Sequence, residues 1–183
     1  FIFEGKQYEI TKYKEQYILF EASNSINVSN FTCAVDNNFQ NNISTKNFNH
    51  SSSFTGSCIE LAIEIDYYTR NTFSSILEAT NWALAIIAGV SQIYDSELNT
   101  AVIVSSTYVW DIVDPYATYT NQSSAMLNEI RNYWITNNGT VSRDLTHLMT
   151  KRTNTGTGGI AYLDALCSNN WGYSFSSNLD NDT

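Results

Sequence analysis

The sequence predicts a mixed α/β domain built on a mostly parallel sheet with two long helices. Three observations carry that prediction. From residue 58 onward the hydrophobic periods run strand, helix, strand, helix, strand, strand, and helical crossovers join strands in parallel. The segment CIELAIEID alternates, with Ile59, Leu61, Ile63 and Ile65 on one face and Glu60, Ala62, Glu64 and Asp66 on the other. In the next segment Ile76, Ala79, Ala83, Ile87, Val90 and Tyr94 recur at three- and four-residue spacing, which is a helical stripe.

Residues 1–23 read as a small β unit, with FIFEGKQYEI and Tyr17–Phe20 flanking a polar stretch. Residues 24–57 are rich in Asn and Ser, have few aliphatic side chains and show no period, so they read as a linker. Within it Cys33 sits in an isolated apolar patch, Phe31 to Val35. The first strand of the main domain covers 58–66 and the first helix 73–98. AVIVSSTYVW, residues 101–110, is β-branched and predicts the second strand, which Asp114-Pro115 follows with the only proline in the chain. A second helix is expected over 123–136, stopped by Asn137-Asn138-Gly139 in the manner of a left-handed cap. Strands near 144–150 and 160–166 follow, separated by the Gly/Thr loop 153–159, and a loose tail ends the chain.

With 183 residues the chain can bury a real core, and 43% apolar with 14% aromatic residues marks it as globular. A net charge of −9 repels nucleic acid and anionic membranes, so neither is an expected partner. The longest apolar run, Trp82 to Val90, is nine residues and too short to cross a bilayer. No signal peptide is visible, and the start at Phe1 suggests that a preceding segment has been removed. Low Lys, abundant Asn, Ser and Thr and an acidic balance fit a secreted protein, expected as a monomer. The seven N-x-S/T sequons add little, because a chain this rich in those residues makes them by chance. The odd count of cysteines, Cys33, Cys58 and Cys167, leaves one without a partner inside the chain.

The candidate chemical groups are sparse. Gly156-Thr157-Gly158-Gly159 precedes a strand instead of following one, so it reads as a turn and not a phosphate cradle. Glu60, Glu64 and Asp66 share a strand face that could hold a hard cation, although their spacing favours a solvated face. His50 and His147 are the only histidines; they cannot form a helical two-histidine metal motif, and His147 reads as a half-buried strand residue.

Five landmarks in order resemble the N-terminal subdomain of a metzincin zinc protease of the reprolysin/adamalysin branch. They are Ile59-Glu60-Leu61 through Asp66, Ile93-Tyr94 with Leu98-Asn99, Trp110, Asp144 to Thr150, and Gly159-Ile160-Ala161-Tyr162-Leu163-Asp164-Ala165-Leu166-Cys167. The resemblance implies a zincin-like sheet whose edge strand, Gly159, Ile160, Ala161, Tyr162 and Leu163 onward, runs antiparallel and binds an extended peptide or protein substrate. It implies zinc as the cofactor, held by H-E-x-x-H-x-x-G-x-x-H, a motif that residues 1–183 do not contain.

On that reading residues 1–57 are the end of a prodomain and 58–183 the N-terminal part of a catalytic domain. The whole is a fragment of a secreted metalloendopeptidase, inactive by itself, with no zinc ligand of its own. Glu60 and Asp144 match calcium ligands of some relatives, and Cys167 matches a cysteine bridged to sequence beyond the chain. Cys33 is either a switch thiolate for the zinc or a disulfide partner of Cys58. The competing expectation is a non-catalytic secreted binding module that uses the same exposed strand and the twelve tyrosines.

Overall fold

The computed structural model describes residues 2–3, 6–13, 16–21, 33–36 and 57–179. Two compact units divide the chain, Phe1–Phe31 and Thr32–Thr183. In the first, β1 (Ile2–Phe3), β2 (Lys6–Tyr13) and β3 (Gln16–Glu21) form an antiparallel sheet, the expected β unit.

The second unit carries β4 (Cys33–Asp36), β5 (Ser57–Ile65), α1 (Tyr67–Arg70), α2 (Ile76–Leu98), β6 (Thr100–Val109), α3 (Ser123–Asn137), β7 (Leu145–Met149), β8 (Gly159–Tyr162) and β9 (Tyr173–Ser176). Its six strands lie in the order β4-β8-β9-β7-β5-β6. Four of them, β9, β7, β5 and β6, run parallel to one another, while β8 is antiparallel to β9 and parallel to β4. The mixed, mostly parallel sheet expected from the sequence is therefore present.

The two helices cover opposite faces. Ala79, Ala83 and Ile87 of α2 pack on Leu61, Ile63, Ile65 and Met149. Met126, Leu127, Ile130 and Trp134 of α3 pack on Ala62, Leu148, Ile160, Tyr162 and Phe175. By length and composition the 23-residue α2 is apolar enough to cross a membrane, but three of its residues are buried against the sheet.

Helix α2 starts three residues later than its period suggested because Ser75 caps it, accepting the Glu78 N–H, while Glu78 Oε2 accepts the Ser74 N–H at 2.8 Å. Asn99 ends it in the left-handed conformation at φ 49°. Helix α3 ends differently from the expectation: Asn138 has φ −125°, so no left-handed cap forms there. Gly139 is required instead by close approach, since a Cβ would lie 2.9 Å from the Ile135 carbonyl.

Three strands depart from the sequence reading. The linker contributes a strand, β4. Strand β9 was missed, because YSFS is too short to show a period. The strand expected over 160–166 ends at Tyr162, and the chain then turns, with Asp164 and Cys167 at positive φ.

Candidate functional site

Strand β8 is the element on which the expected substrate-binding residues fall. Ile160 and Tyr162 are buried in the α3-side core, and Tyr162 Oη donates to Asn128 Oδ1 at 2.7 Å, which fixes the strand against the helix. Gly159 has a steric reason: a Cβ would stand 2.9 Å from the Phe175 carbonyl of β9. Leu163 lies outside the strand, in the following turn, with 49% of its surface exposed.

The side of β8 away from β9 is not a free edge. Cys33, Ala34, Val35 and Asp36 of β4 pair there in parallel with Gly159, Ile160, Ala161 and Tyr162. The expectation of an open edge strand is corrected accordingly: β8 is flanked on both sides, and the outermost strand is the segment read as linker. The five-residue apolar patch Phe31 to Val35 between polar stretches was the signal, and an edge that satisfies main-chain groups for almost any sequence is why it pairs.

The same topology separates two cysteines. From β4 to β5 the sheet takes four strand steps, about 19 Å at ~4.8 Å per step. A disulfide requires Cα atoms within about 7 Å. A Cys33–Cys58 bridge is therefore incompatible with this sheet. Cys58 and Cys167 are both exposed free thiols.

Glu60 and Asp144 are brought together. The Glu60 N–H donates to Asp144 Oδ2 at 2.8 Å, and the Asp144 N–H donates to the Glu60 carbonyl at 2.8 Å. Ser142 Oγ donates to Glu60 Oε2 at 3.3 Å, and Cys167 Sγ to Asp144 Oδ1 at 3.3 Å. Burial, and then the Asp144 carboxylate, push the Cys167 thiol above its ordinary range.

The solvated-face reading of Glu64 and Asp66 is overturned, since both are fully buried. Strand β5 is central, and a central parallel strand is covered on both faces. Glu64 accepts from the Trp110 indole N–H, from Trp134 Nε1 at 2.5 Å and from Tyr116 Oη at 2.9 Å. Burial outweighs these donors and raises its pKa to about 7. Asp66 accepts from the Thr69 N–H at 2.9 Å and from Thr150 Oγ1 at 2.6 Å, and burial raises its pKa as well.

His147 is half-buried, as expected, with Nδ1 and Ser174 Oγ 2.7 Å apart. Burial lowers its pKa to about 4. His50 and the switch candidate's side chain at Cys33 lie outside what is described.

A mostly parallel sheet with an antiparallel strand beside its end, one long helix on each face and the Gly-Ile-Ala-Tyr strand define a metalloprotease-type α/β fold. The model of the Metallo-peptidase family M12B Reprolysin-like matches residues 82–183, and the chain belongs to that family. A chain from a solved chaperone–substrate complex superposes with a TM-score of 0.51 at 10% identity, covering 67% of this chain and 21% of that one. The crystal structure of metalloproteinase-II from Bacteroides fragilis gives a TM-score of 0.47 at 12% identity over 70% of this chain and 39% of that one. The chain thus spans about a fifth and about two fifths of those proteins' lengths. No curated protein matches it.

The family implies zinc. Among the described residues no three His, Cys, Asp or Glu side chains converge on a common point. Among the described residues His147 is the one histidine. These residues do not fit a zinc site.

Proposed function

We propose that these residues form the substrate-binding part of a secreted zinc metalloendopeptidase, held latent by its own prodomain strand, with the zinc ligands supplied from outside the 183 residues. The observation that carries the reading is the pairing of β8 with β4, since the residues of β8 resemble the family's substrate-binding strand. An extended peptide would add to β8 through main-chain hydrogen bonds, which suits cleavage of many sequences. Strand β4 takes up that side of β8, so a substrate must displace it.

Within this proposal residues 1–57 are the end of the prodomain, and Cys33, in register with Gly159, is the thiolate that would occupy the zinc until release. The incompatibility of a Cys33–Cys58 bridge with the sheet favours that role over the disulfide. Glu60 and Asp144 would supply two of the six to eight oxygens that a calcium ion takes. The occupied edge weighs against the alternative of a binding module that offers β8 as an open strand.

The test uses the full-length natural protein on a quenched protein substrate, before and after limited cleavage between residues 37 and 56. Activity should appear on release of the β4 segment and vanish with a zinc chelator. Cys33→Ser should raise the activity of the uncleaved protein. A full-length protein that cleaves nothing in either state refutes the reading.

A further inference from the structure

Past the carboxyl ends of β5, β6 and β7 the chain encloses a pocket of about 610 Å³, a place where open α/β sheets commonly bind ligands. Its size lies within the range of small-molecule sites, roughly 300–1,000 Å³. Three chain segments build it: Tyr67, Tyr68 and Asn71 after β5, Val113 and Ala117 after β6, and Thr153 with Asn154 after β7.

The charged groups of this pocket are already engaged. Asp114 is buried, and its two oxygens accept the N–H groups of Tyr67 at 2.9 Å and Tyr116 at 2.8 Å. Arg152 is buried and donates to the carbonyls of Tyr116 at 2.8 Å and Tyr119 at 2.6 Å, and to Asn154 Oδ1 at 3.4 Å. Neither leaves a bare charge for an ionic ligand.

Neutral groups remain open. Among the described residues, no hydrogen bond occupies the Tyr68 hydroxyl, the Asn71 side-chain amide or the Thr153 hydroxyl. Tyr68 is 54% exposed and Val113 64% exposed, so an aromatic ring and an apolar contact stand beside those groups. An amide supplies a donor and an acceptor in one plane, and each hydroxyl supplies both. A pyranose needs this set: apolar surface for its C–H face, and donor–acceptor pairs for its ring of hydroxyls.

We propose that this pocket is a carbohydrate-binding site for a neutral sugar. The site itself stands apart from the peptidase reading, and only its role rests on it. A peptide running antiparallel to β8 would leave the strand past Gly159, towards the loop that precedes it. Asn154 lies five residues upstream of Gly159, at most about 18 Å of chain. The pocket therefore reads sugar attached to a protein substrate on the C-terminal side of the stretch held at β8.

The test titrates the 183-residue chain with N-acetylglucosamine, galactose and mannose, followed by amide NMR shifts. At least one should give saturable shifts at Tyr67, Tyr68, Asn71 and Thr153. Tyr68→Ala and Asn71→Ala should each weaken binding roughly tenfold with Tm unchanged, because both side chains lie at the surface. Absence of saturable binding, binding untouched by both substitutions, or stronger binding of sialic acid or choline than of any neutral sugar overturns the proposal.

Sugar binding needs no peptidase activity, so a chain that binds sugar while the full-length protein cleaves nothing keeps the site and loses only the peptidase reading. With an active full-length protein, a glycosylated substrate should show a lower KM than its deglycosylated form. An equal KM overturns the substrate role.

Discussion

Tyr116 donates its phenolic hydrogen to Glu64 at 2.9 Å, tying the segment after β6 to the central strand β5. The Trp110 and Trp134 indoles donate to the same carboxylate, so a buried charge is held by three donors, two from the segment after β6 and one from α3. The Trp110 ring also stands edge-on to Tyr116 at 6.1 Å. Removing any one donor leaves part of a buried carboxylate unsatisfied, which is the costly half of hydrogen-bond energetics.

Trp134→Phe keeps most of the ring volume and deletes one donor. It should lower unfolding stability by about 1–3 kcal/mol, read from urea denaturation with an unchanged m-value. A loss within error would show that the carboxylate is satisfied without this indole.

Stability against pH should contain two opposed contributions. Glu64 is raised from 4.5 to about 7, so the folded chain binds more protons over that window and stability falls as pH rises through it. Asp66, also raised, has the same sign. His147 is lowered from 6.5 to about 4, so the unfolded chain binds more protons there and stability rises with pH. The Glu64 contribution is worth about 3 kcal/mol at full extent, and that of the half-buried His147 somewhat less. Between pH 4.5 and 6.5 they largely cancel. His147→Gln should expose the fall, and Glu64→Gln should leave the histidine's rise, lessened by Asp66, on a chain that is less stable throughout. Parallel pH profiles for the three proteins would contradict this assignment.

Gly159→Ala should loosen the β8–β9 pair, because the new methyl meets the Phe175 carbonyl at 2.9 Å. A cost of about 1–3 kcal/mol is expected. Faster amide exchange should be confined to β8, β9 and β4. Exchange that rises evenly across the sheet would point to a global effect instead.

Peptide mapping without reductant should find Cys58 and Cys167 unpaired and no 33–58 bridge. Labelling of Cys167 should accelerate only above the ordinary thiol range, since burial and Asp144 both disfavour its thiolate. Asp144→Asn should speed labelling at neutral pH. A Cys33-to-Cys58 cross-linked peptide from folded protein would mean that β4 does not pair with β8 as found.

Much of the framework was legible locally. The alternation of Ile59, Leu61, Ile63 and Ile65 and the stripe of Ala79, Ala83 and Ile87 each record one buried face of one element, and a period reports that directly. The Gly159–Tyr162 motif pointed to the family for the same reason, being contiguous in the chain. What those patterns could not report was company. Glu64 sits on a polar-looking face of its strand, and only Trp110, Tyr116 and Trp134 of α3, 46 to 70 positions further on, turn that face into core. The Asn71–Thr153 pocket likewise joins segments that no local pattern links.

The sequence by itself thus determined the fold class, the two helices, the central strands and the protease family, because each is written in periods or motifs of consecutive residues. Only the tertiary structure decided that β8 is covered, that Cys33 and Cys58 lie too far apart to bond, and that Glu64 is buried. The physical reason is the same in all three cases. Strand order and the cover on each face are set by pairings between distant segments, and Cys33 meets Gly159 across 125 intervening positions that carry no local trace of the contact.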